Sequence, residues 1–154
     1  MRWTGADTAT FSAPATAERC EALHLIEIRA VSGDTGVGLA LYDSGSIQPG
    51  TYRIRTRTAS DTSRPGASLA LRWFSKTAVQ GFQGDSGEAL LRPSGADAYS
   101  GTFRAKANAI TGAGRLDITG SFDGVRLGRA RRTCVAPADT AKASPDSAEL
   151  EVVD

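Results

Sequence analysis

Histidine and cysteine are nearly missing from this chain of 154 residues, which has one histidine and two cysteines. Zinc sites take three or four ligands at close spacing, and redox pairs sit as Cys-x-x-Cys. His24 with the widely separated Cys20 and Cys134 fits neither pattern. Paired carboxylates at a shared spacing are lacking, as is the alternating Asp-x-Asp run that dedicated calcium loops use. These absences argue against an enzyme and predict no cofactor and no metal. Long apolar runs are wanting too. The longest, Ala22 to Ile26, is interrupted by His24, whereas a membrane-spanning helix needs about 20 apolar residues. No integral membrane segment is expected. Amphipathic helical runs and internal repeats are equally absent.

What is present is glycine, 17 residues of it, and period-two alternation cut into short pieces by turns. Tyr52, Ile54 and Thr56 alternate with Arg53, Arg55 and Arg57. Phe103, Ala105 and Ala107 alternate with Arg104 and Lys106, and Leu116, Ile118, Gly120 and Phe122 share one face. Leu69, Leu71 and Trp73 point inward on another segment, which leaves Phe74 on the opposite side. A further strand is expected from Leu23 to Val31, with His24, Ile26 and Ile28 on one face. Pro14 to Cys20 reads as a single helical turn, because proline suits a helix start. Asp123-Gly124 between alternating segments suits a two-residue type I′ hairpin that pairs Phe122 with Val125, and Gly128 is the expected site of a β-bulge. The pattern predicts an all-β domain of about nine or ten short strands in a single antiparallel β-sandwich, with a partly closed β-barrel as the alternative.

Cys20 and Cys134 flank the strand-rich body, so a disulfide between them is the expected pairing. It would stabilise by about 4–5 kcal/mol in the chain-entropy account and implies an oxidising compartment. The chain begins Met1-Arg2-Trp3-Thr4-Gly5, without a charged leader and apolar run. The expectation is an extracytoplasmic protein (periplasm, cell envelope or secreted) whose signal peptide is not present in this chain. Usage rich in Ala, Gly, Arg and Asp points to a bacterial source. Charge divides the chain in two. Residues 137–154 carry a net −4 and lack aromatics, reading as an acidic flexible tail, while the body, residues 1–136, carries a net +5.

Gly84-Asp85-Ser86-Gly87 resembles the segment around the nucleophilic serine of trypsin-like proteases. The resemblance implies Ser86 as nucleophile, His24 as base, and Asp43 or Asp61 as the orienting acid. It covers four residues, and Glu88 stands where that family continues with glycine. The same string is also an ordinary turn joining Phe82 to Ala89. Gly33 to Gly38 has the glycines of a phosphate cradle but neither its Lys-Ser/Thr end nor a following helix.

The stripe Arg53, Arg55 and Arg57 spaces three guanidinium groups about 7 Å apart on one strand face, a candidate site for an anionic ligand. Without interleaved exposed aromatics, nucleic acid is not the expected partner. The reading favoured by the sequence is a non-enzymatic binding or accessory module, with an anionic ligand or another envelope protein as partner. A serine hydrolase using Ser86 and His24, and a structural subunit adding an edge strand to a partner chain, are the alternatives.

Overall fold

The computed structural model describes residues 1–58, 61–74 and 77–129. Among these residues there are ten strands and no helix: β1 (Arg2–Gly5), β2 (Ala9–Thr10), β3 (Ala15–Cys20), β4 (Leu25–Ser32), β5 (Thr35–Tyr42), β6 (Gly50–Arg55), β7 (Gly66–Phe74), β8 (Val79–Gly95), β9 (Ala98–Ala109) and β10 (Arg115–Arg126). They join in one sheet in the order β2-β1-β10-β9-β8-β6-β7-β5-β4-β3, and β8 also pairs with β7. The domain is therefore all-β, as its alternation predicts. The sheet is mixed, since β6 runs parallel to β7 at Ile54 and Ala67, and it is open. The nearest approach to a closed barrel is one parallel bridge between Ala17 of β3 and Leu127, just past β10.

Period-two alternation puts one face of each strand inside. Leu39 and Leu41 of β5, Ile54 of β6, Leu71 of β7, Leu91 of β8 and Ile118 of β10 are each at most 2% exposed and share one core. Trp3 of β1 stacks on Trp73 of β7 at 5.4 Å, and Trp73 on Phe82 of β8 at 5.2 Å. Because β10, β9 and β8 lie between β1 and β7 in the sheet, that stack requires the sheet to curve until its inner face packs on itself. Phe74 falls on the outer face and is half exposed. Ala17, Ile26, Ile28 and Val125 form a second, smaller cluster where β3 and β4 approach the end of β10.

Several local expectations are corrected. Pro14 to Cys20 is no helical turn: β3 pairs with β4 from Ala15↔Ala30 to Cys20↔Leu25, and those pairs with the burial of Ala17 and Cys20 outweigh a weak local helix preference. His24 does not lie on β4 but precedes it, exposed, at φ 48°. The Gly84–Gly87 string does not turn the chain. β8 runs unbroken through it, with a bulge between Gly84 and Ser86. Asp123-Gly124 is no hairpin either. β10 continues past it, the two residues filling the interval between the Phe122↔Gly101 and Val125↔Tyr99 pairs. Gly124, at φ 59°, supplies the left-handed conformation that a turn and a bulge use equally. The deciding factor is β9, which continues alongside and holds β10 extended. The bulge expected at Gly128 is displaced to this point, and Gly128 itself donates its N–H to the Ala17 carbonyl at 2.8 Å. Cys134 and the acidic segment 137–154 lie outside the described residues.

Candidate functional site

Where β3 and β10 diverge, the curved sheet leaves a seam. β1 covers the outer edge of β10 only from Leu116 to Thr119, and β3 reaches the chain again only at Leu127. Between these points, among the described residues, no strand pairs with that edge of β10. A cleft of about 420 Å³ opens there, within the range of about 300–1,000 Å³ typical of small-ligand sites. Its floor is apolar: Ile28 from β4, Val37 and Leu39 from β5, and Phe103 from β9. Phe11 to Ala15 forms one wall, and Ser121 to Arg126 the other.

The bulge in β10 shapes the second wall. The Ser100 hydroxyl of β9 donates to the Asp123 carboxylate at 2.5 Å and accepts the Gly124 N–H at 2.9 Å. This pair of bonds fixes both residues of the bulge to the neighbouring strand. The extra residue also restores the inward phase, so that Val125 is buried after Phe122. Phe122 itself lies across Gly101, where a Cβ would come within 2.5 Å of the ring. Phe103 covers Gly120 in the same manner, at 2.3 Å. Both rings reach the cleft because the facing residue has no side chain.

The arginine stripe is organised differently. Arg53 is exposed, in register with Glu88, which pairs with Arg104 at 2.8 Å. Arg55 donates to the Pro65 carbonyl at 3.2 Å. Arg57 donates to the carbonyls of Ser63 at 3.2 Å and Asp61 at 2.9 Å, and its guanidinium lies 4.0 Å from the centre of the Tyr42 ring. Desolvation lowers the Arg57 pKa, with the nearby Asp61 carboxylate acting in the opposite sense. The Asp61 carboxyl is held below its ordinary value by the Ser63 hydroxyl and backbone N–H, with Arg57 assisting. The donors of Arg55 and Arg57 thus tie down the chain's own loop between β6 and β7, and only Arg53 of the three presents its charge to solvent without such a bond.

Ser86 and His24 are not brought together. Ser86 sits within β8 between Arg55 and Lys106, while His24 precedes β4. β6, β7 and β5 lie between β8 and β4 in the sheet order, so the two sit on or beside strands that are not neighbours. Asp43 serves the loop that follows β5: it accepts the Ser44 N–H at 2.7 Å and the Tyr52 hydroxyl at 3.3 Å. Tyr52 is 3% exposed, and burial raises its pKa to about 12 against the opposing effect of the Gln48 N–H, which donates to its hydroxyl at 3.1 Å. Cys20 is buried at the end of β3, and Cys134 lies outside the described residues. Among the described residues no three His, Cys, Asp or Glu side chains gather to hold a metal ion.

The cleft residues Phe103, Phe122, Asp123 and Arg126 carry one signal in the sequence: the alternation of β10 loses its phase just past Phe122. That signal marks a bulge but not the strand missing beside it. No known protein family, curated protein or solved structure matches the chain.

Proposed function

We propose that this domain is a non-enzymatic binding module of the cell envelope or exterior, and that the seam between β3 and β10 is its ligand site. One observation carries the reading. Buried Ile28, Leu39 and Phe103 and half-buried Val37 are inward residues of the alternation that builds the core, and they also form the base of an opening. A concave site with an apolar base gives a ligand's hydrocarbon surface a place to leave water. Ser12, Ser121, Asp123 and Arg126 line the cleft beside these apolar residues, the mixture of apolar contact and a few polar groups that small-ligand sites use. The two cysteines support an oxidising compartment.

The test is a fluorescence titration with neutral phenylnaphthylamine, which brightens on entering an apolar site. Saturable binding is expected. The variant Ala30→Trp, which places a large ring in the cleft, abolishes it while retaining a cooperative melt. Absence of saturable binding by the unmodified protein overturns the reading. For the compartment, denaturing alkylation of protein secreted through an oxidising compartment is expected to label no thiols. Two labelled thiols would sink that part of the proposal.

A further inference from the structure

We infer that the cleft takes a single amphiphile with an anionic head, a carboxylate, sulfonate or phosphate, and that Arg126 receives the head. The inference rests on the cleft being a ligand site and adds the class of ligand. Two ionic side chains line the cleft, Asp123 and Arg126, and they differ in what they already do. The Asp123 carboxylate holds the bulge through the Ser100 hydroxyl. Moving it toward a ligand would undo the bonds that shape the wall. Arg126 is exposed and makes no ion pair among the described residues. Its planar fork of donors matches the paired oxygens of a carboxylate, sulfonate or phosphate.

Arg126 is an exposed residue of the cleft lining, which also includes buried hydrocarbon and aromatic side chains. One site therefore offers both a charge and apolar side chains, the two features of one amphiphile. The contrast with Arg55 and Arg57 is direct, since each of these already donates to the chain's own carbonyls. A body with a net charge of +5 favours the approach of an anion. The cleft measures about 420 Å³, which suits one small amphiphile rather than the packed chains of a membrane surface.

The experiment compares two probes with the same aromatic skeleton, anilinonaphthalene sulfonate and neutral phenylnaphthylamine, on the whole chain. The sulfonate is expected to bind about tenfold or more tightly than the neutral probe, the ordinary worth of a charge-assisted hydrogen bond. Arg126→Gln is expected to remove that advantage while the neutral probe loses less than about twofold, its contacts being with the apolar floor. Arg129→Gln, an exposed arginine outside the cleft lining, should change neither affinity. Equal affinities for the two probes overturn the anionic class and leave the binding module standing. Binding of neither probe overturns both. An Arg129→Gln loss as large as that of Arg126→Gln overturns the assignment to Arg126. Binding of anionic lipid vesicles without binding of the monomeric sulfonate overturns the single-amphiphile reading.

Discussion

The main core and the seam are made of the same kind of side chain, from the same strands, and differ in what packs over their inner face. Leu41, Leu91 and Ile118 sit under strands paired on both edges and are at most 1% exposed. Val37 and Phe122 continue the same inward rows but remain half-buried, beside the stretch of β10 that neither β1 nor β3 covers. Hydrophobicity alone does not decide which apolar residues become core. What the curved sheet brings over them does.

The largest expected effect tests that contrast directly. Leu91→Ala removes a fully buried side chain and is expected to destabilise by about 2–5 kcal/mol in urea unfolding. Val37→Ala, at the cleft floor, is expected to cost about 1 kcal/mol or less and to weaken phenylnaphthylamine binding instead. Equal costs would mean that the seam is packed like the core. Gly120→Ala links the two regions, because its new Cβ would meet the Phe103 ring at 2.3 Å. Overpacking of this kind costs about 1–3 kcal/mol, and the displaced ring should occupy the cleft. A lower melting temperature together with lost probe binding is expected; lost stability with intact binding would detach Phe103 from the site.

The smallest effect sharpens the core side of the comparison. Tyr52 titrates at about 12 when folded, above its ordinary 10.0. The folded state therefore holds the proton more tightly, and the stability this confers is complete below pH 10 and lost as pH rises through 12. The loss is up to about 3 kcal/mol. Tyr52→Phe is expected to flatten the stability profile over that interval, and an unchanged slope would exclude Tyr52 as its source. The seam presents no such buried hydroxyl, so ligand binding should not follow this titration.

Much of the fold was legible in particular residues. Tyr52 and Ile54 against Arg53, Phe103 and Ala105 against Arg104, and Leu116 and Ile118 against Asp117 all face as their alternation predicts. Three local signals misled for one physical reason. Asp123-Gly124 and Gly84 to Gly87 carry turn chemistry, but a glycine at positive φ serves a bulge as well as a reversal. β9 runs past both positions and keeps the chains extended. Pro14 to Cys20 has weak helical preference, overridden by pairing with β4. Arg55 and Arg57 share a strand face in the sequence, yet the loop folded back onto them takes their donors.

The sequence by itself determined the class of fold, the inward set of residues and the lack of a long apolar helix, because those depend on side-chain periodicity within single segments. The tertiary structure alone decided that β8 and β10 run on through their glycines, which arginines are engaged, and where the sheet stays open. Those outcomes depend on which strand lies beside which, and pairings between distant segments leave no periodic mark on either one.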